Sequence, residues 1–160
     1  VSEQISNVLV MVPSFPTIIQ LLPGTCTEGG LLTIVGDHFG TGGDILIAGF
    51  TVSGNVPRPV LIRGVGPALS NFGVAGTLAD PALVVCNAAG QELLANDDWG
   101  TAANVAELRA ATSAAGAFAL ADGSNDSAVL AVLDPGSYTV QVSGAGGLTG
   151  ISLVEVYEVP

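Results

Sequence analysis

Short runs of apolar and β-branched residues recur along this chain roughly every 8 to 12 residues, several of them alternating with a period of two. Between them stand Pro-Gly at Pro23 and Pro135, Ala-Gly before Gln91, Asp-Gly at Asp122 and a glycine cluster at Gly144–Gly147. This punctuation leaves little room for long helices. It predicts strands at Asn7–Val12, Leu31–Val35, Asp44–Val52, Pro59–Val65, Ala82–Asn87, Gln91–Ala95, Ala117–Ala121, Ala128–Leu133, Ser137–Ser143 and Gly150–Glu158. The exception is Ala102–Ala115, rich in alanine, which reads as a short helix or an irregular crossover. The expected fold is all-β, a single jelly-roll-like β-sandwich with a strand-bearing N-terminal arm and one short helix or crossover.

At 160 residues the chain suits one domain, or one domain with an appendage. Only 11% of its residues are charged, against about 25% in ordinary soluble proteins, and the net charge is −11. With 49% apolar residues it is not a disordered chain. All its basic residues are arginines, Arg58, Arg63 and Arg109, so no basic patch exists for nucleic acid or an anionic lipid surface. The most apolar stretch, Val8 to Leu22, is interrupted by Pro13, Ser14 and Pro16 and is too short to span a bilayer, so no membrane insertion is expected.

The first 30 residues differ from the rest. They contain Pro13, Pro16 and Pro23 and alternate only at Val8, Val10 and Val12. They read as an arm and linker ahead of a sandwich over residues 31–160, with Val8, Leu9, Val10, Met11 and Val12 as its strand; the other reading makes that strand the first of its own sandwich. Val1 in place of Met fits removal of a signal peptide, and hence an extracellular or cell-surface location. Two readings stand for Cys26 and Cys86, a disulfide formed in an oxidising compartment or a pair of buried thiols. The disulfide would contribute about 4 kcal/mol by closing so long a loop.

From residue 44 onward the chain carries DILIAGFTVSG (44–54), RPVLIRGVGPAL (58–69), FGVAGTLADPAL (72–83), NDDWG (96–100), GAFAL (116–120), LDPGSYTVQVSG (133–144) and GLTGISLVEVYEV (147–159). In order and spacing these motifs resemble an extracellular β module found, often near the C-terminus, in large secreted proteins of environmental bacteria. The second half is similar, more loosely, to the bacterial pre-peptidase C-terminal β-sandwich. The resemblance implies a module without assigned catalytic activity, and one that binds calcium and supports adhesion. LTIVGDHFGTGG (32–43) departs from the usual lead-in.

Enzyme chemistry finds few residues to work with. The single histidine, His38, lies in a turn-like stretch, and Asp37 beside it is no orienting partner merely by adjacency. One His with two distant Cys cannot make a zinc site. Gly64-Val-Gly66 runs into Pro67, and Gly144–Gly147 sits between strands, so both read as turns and neither opens a helix as a phosphate loop does. The oxygen-rich loops are better candidates. Asn96, Asp97 and Asp98, with Asp122, Ser124 and Asp126, could lie at one end of the sandwich and share a calcium ion; the competing reading is a helix cap and a plain turn.

DILIAGF, PVLIRGV, ALVVC and AVLAVL are apolar on both faces and so need cover on both sides. With few helices to provide it, the expected cover is another copy of the same chain. The reading that follows is a non-enzymatic secreted structural protein, a pilus-like filament subunit in which the arm strand is donated to a neighbour, with calcium as a stabiliser. The alternative is an extracellular adhesion module binding carbohydrate or protein, favoured if Trp99 and Tyr138 form an exposed platform. Arg58 and Arg63 are expected to pair with carboxylates of the same or a neighbouring subunit, and Arg109 within its helix.

Overall fold

A computed structural model describes Val10–Met11, Leu31–Phe39 and residues 45–160. Nine strands occur among them: β1 (Val10–Met11), β2 (Leu31–Phe39), β3 (Leu46–Val52), β4 (Arg58–Val65), β5 (Pro81–Asn87), β6 (Glu92–Asn96), β7 (Ser127–Leu133), β8 (Gly136–Gly144) and β9 (Gly150–Glu158). They form two antiparallel sheets, one ordered β1-β3-β8-β5-β6 and the other β2-β9-β4-β7. The fold is an all-β sandwich with one short helix, α1 (Val105–Ala114). No helix among the described residues is long and apolar enough to cross a membrane.

The period-two pattern explains the first core layer. Leu46, Ala48, Phe50 and Val52 of β3 point inward, as do Val60 and Ile62 of β4, Val140 and Val142 of β8, and Val154 and Val156 of β9. Their interleaved side chains are buried between the sheets. Phe50 stacks on Tyr138 of the next strand with ring centroids 5.4 Å apart.

A second apolar layer lies on the other face of the four-stranded sheet. Leu61 and Val65 of β4, Ala128 of β7 and Leu153 and Tyr157 of β9 pack against Leu108 and Ala111 of α1, Trp99, Leu120 and Leu69. This corrects, for PVLIRGV, the sequence expectation that a second copy must cover these strands, because the chain covers both faces of β4 itself; on AVLAVL it covers Ala128 and Leu130, while Val132 stays 69% exposed. The cover is a single helix supplemented by two 3-10 turns (Pro67–Phe72 and Trp99–Thr101) and the segment 115–121. That segment is also not the strand expected at Ala117–Ala121. It is held by side-chain bonds instead of ladder bonds: the carbonyl of Phe118 accepts from Arg63 Nη1 at 2.8 Å, and that of Ala121 from Trp99 Nε1 at 3.2 Å.

Two further expectations are corrected. β2 does not stop at Val35; it runs to Phe39, with an irregularity between Gly36 and Phe39, so His38 lies in a bulged strand and not in a turn. Nor do the glycines of RGVGP form a turn. Gly64 is inside β4, and Gly66 backs onto the loop at Leu78, where an added Cβ would lie 2.0 Å from the Leu78 carbonyl oxygen. Gly144 and Gly150 close the same socket, so the fully buried Leu78 plugs one end of the sandwich, its N–H donating to the Ile151 carbonyl at 2.8 Å.

Candidate functional site

The two oxygen-rich loops do meet, at the end of the sandwich near the start of β7. The Trp99 N–H donates to the Asp126 carbonyl at 2.9 Å, and Trp99 Nε1 donates to Ser124 Oγ at 3.2 Å. Asn96 Oδ1 accepts from the Ala128 N–H at 3.0 Å, while its Nδ2 donates to the Asp98 carbonyl at 3.0 Å. Asp126 is fully buried, and its Oδ1 accepts from the N–H groups of Gly66 (2.9 Å) and Ala68 (3.2 Å) and its Oδ2 from Ser124 Oγ (2.8 Å).

Of the six residues singled out for calcium, Asn96, Ser124 and Asp126 thus spend their polar atoms on the fold, and Asp122 accepts from Arg109 Nη2 at 2.5 Å. Asp98 precedes a 3-10 turn without a side-chain cap bond, and Asp97 is exposed. Asp97 and Asp98 act on Asp80, whose carboxyl is pushed above the usual range first by burial and then by these two charges. Among the described residues no three His, Cys, Asp or Glu side chains are grouped to hold an ion.

The arm strand lies on the β3 edge. Val10 stands opposite Ala48 and Met11 opposite Ile47, antiparallel. Val8, Leu9 and Val12 fall outside the described residues, as does Cys26; Cys86 is a buried free thiol among those described.

A buried charge network escaped the sequence reading in its detail. Arg63 and Glu155 face each other across β4 and β9 with Nε and Oε2 3.1 Å apart, and Tyr157 OH donates to Glu155 Oε1 at 2.8 Å. Arg63 is 0% exposed, and the Phe118 ring lies 4.3 Å from its guanidinium carbon. The pair is close in distance but poorly aligned, leaving Arg63 Nε and Nη2 and Glu155 Oε2 without a hydrogen-bond partner among the described residues. Burial pushes the Glu155 carboxyl up, against the opposing pull of Arg63 and the Tyr157 hydrogen bond. Burial, followed by the Glu155 charge, pushes the Tyr157 hydroxyl up as well.

Both strand arginines therefore pair within the chain, Arg58 with Glu158 at 3.2 Å. Arg109 does not pair within its helix: it reaches Asp122 in the following loop and stacks over Trp99, 4.6 Å from the ring centroid. Trp99 is 3% exposed and Tyr138 half-buried against Phe50, so these rings do not form the exposed platform that would favour an adhesion module.

Fold and site together define a two-sheet antiparallel sandwich with a helical layer on one sheet. No protein-family model matches the chain, and no curated protein matches it.

Proposed function

We propose that this chain is a non-enzymatic, secreted structural protein, the subunit of an extracellular filament or tube in which the segment Val8–Val12 of one subunit occupies the β3 edge of the next. The observation that carries the reading is the register of β1 on that edge. It sets Val10 opposite Ala48, an inward-facing position of β3, and Met11 opposite Ile47, and in the sequence Val8, Val10 and Val12 alternate with the same period of two as the inward-facing residues of β3. An alternating apolar strand that matches a row of core positions is the pattern of strand addition, in which main-chain bonds give affinity and alternate side chains give specificity.

Pairing within one chain and pairing between chains make the same contacts, so exchange costs little beyond the entropy of association. Residues 12–30, with Pro13, Pro16 and Pro23, connect the strand to β2 and would reach about 60 Å when fully extended. Head-to-tail exchange at a rotation that does not close builds a fibre. Calcium enters this proposal through Asp97 and Asp98 together with backbone oxygens, as a stabiliser of an acidic end.

Deletion of residues 1–14 tests the reading. The truncated chain should fold, with its near-ultraviolet dichroism retained, and remain monomeric where the full chain forms fibres by negative-stain microscopy. Fibres of unchanged length and number from the truncated chain would overturn it. A chelator arm tests the calcium component, which predicts shorter fibres without the ion.

A further inference from the structure

We propose that the cavity between α1 and the 119–120 segment is a binding site for a small aromatic carboxylate. It has a volume of about 150 Å³, is partly open to solvent, and is walled by Trp99, Leu108, Thr112, Ala119, Leu120 and Ala128, with Arg109 completing the lining. Its polar groups are already engaged: Trp99 Nε1 donates to Ala121 and Ser124, and Thr112 Oγ1 donates to the Leu108 carbonyl at 2.8 Å. What remains is a mainly apolar space of the size that holds a single benzene ring, about 150 Å³, with an indole in its wall over which the Arg109 guanidinium lies, 4.6 Å from the ring centroid.

The charge at this cavity selects for an anion. Arg63 is buried against Glu155 and Arg58 is 29% exposed beside Glu158, whereas Arg109 has 51% of its side chain in water. On a chain of net charge −11, Arg109 is the most accessible cation among the described arginines, and it borders the apolar cavity. Its present partner, Asp122, is 78% exposed. Such a surface pair contributes only about 0–1 kcal/mol, so a carboxylate held by a ring in the cavity can replace it on the guanidinium. A ring of this size with a short acidic arm satisfies both features, and neither half alone does.

Phenylacetate is the probe, and Trp99, the single tryptophan, is the reporter. Titration of the full chain should give a saturable change in Trp99 fluorescence. Neutral phenylacetamide and ringless acetate should bind at least about tenfold more weakly, a difference of about 1.4 kcal/mol. Arg109→Gln should abolish the preference for phenylacetate over phenylacetamide, and Asp122→Asn, which removes the competing carboxylate, should tighten phenylacetate several-fold. Ala119→Phe, at an exposed position bordering the cavity, should block binding while leaving the dichroism spectrum intact. Absence of a saturable change, equal binding of phenylacetamide, or a preference that survives Arg109→Gln would each overturn the proposal.

Discussion

Arg63 and Glu155 stand directly opposite each other on adjacent strands, 3.1 Å apart, with the arginine wholly out of water beneath the ring of Phe118. The two ends of this pair differ in what they can do when the other is removed. A carboxyl can take up a proton and become neutral, and burial already pushes Glu155 that way; a guanidinium stays charged at any working pH.

Loss of the acid should therefore cost more than loss of the base. Glu155→Gln, which strands a buried cation, should destabilise by about 3–5 kcal/mol in urea unfolding at pH 7. Arg63→Met should cost less, by an amount that shrinks as the pH falls and Glu155 protonates. The double variant Arg63→Met with Glu155→Leu should recover most of the loss, as expected for coupled neighbours.

The same network fixes the sign of the pH dependence. Tyr157 is raised above its ordinary value of 10.0, so its contribution is full below pH 10 and is lost as the pH rises through the native value. Thermal unfolding should show stability falling above pH 10, and Tyr157→Phe should flatten that limb. Glu155, raised above 4.5, contributes fully below that pH and progressively less as the pH rises through its native value.

The glycine socket around Leu78 makes a third prediction. Gly66→Ala and Gly144→Ala place a Cβ 2.0 Å and 1.8 Å from backbone oxygens of Leu78 and Leu148, which cannot yield as a side-chain end would. Each should cost at least about 2–3 kcal/mol. Gly100→Ala, where nothing lies within 4 Å, should fall within about 0.5 kcal/mol of the parent.

Asp126 and Asp97 separate a structural carboxylate from an available one. Asp126→Ala orphans the N–H groups of Gly66 and Ala68 and should lower stability by about 2–4 kcal/mol whether or not calcium is added. Asp97→Ala should leave the calcium-free protein unchanged and remove any calcium-dependent rise in melting temperature.

The strand pattern was legible because alternation is a local signal, and β9 runs over the very residues predicted, Gly150–Glu158. The helical layer was harder to read. Ala102–Ala115 announces a helix, but its role as the second cover of β4 and β7 depends on packing distant in sequence, such as Leu108 and Ala111 clustering with Leu61 and Ala128. Asp126 looked like a cation ligand for a plain chemical reason. A carboxylate that accepts from backbone N–H groups is the same residue type as one that binds an ion, and its partner Gly66 lies 60 positions away. The apolar excess that pointed to a second copy was real, but on the four-stranded sheet the chain hides much of it with α1 and with irregular segments that carry no periodicity, leaving Val132 exposed.

Strand exchange can be read most directly by a cross-link at the β1–β3 register. Met11→Cys with Ile47→Cys, in a chain with Cys26 and Cys86 changed to Ser, places two thiols at directly opposed positions, where antiparallel Cα separations of about 4.5–5.5 Å suit a disulfide. Oxidised under assembly conditions and run on a denaturing gel without reductant, the protein should give a ladder of covalent multimers. A single monomer band carrying its bond within one chain, at every protein concentration, would contradict assembly by strand donation.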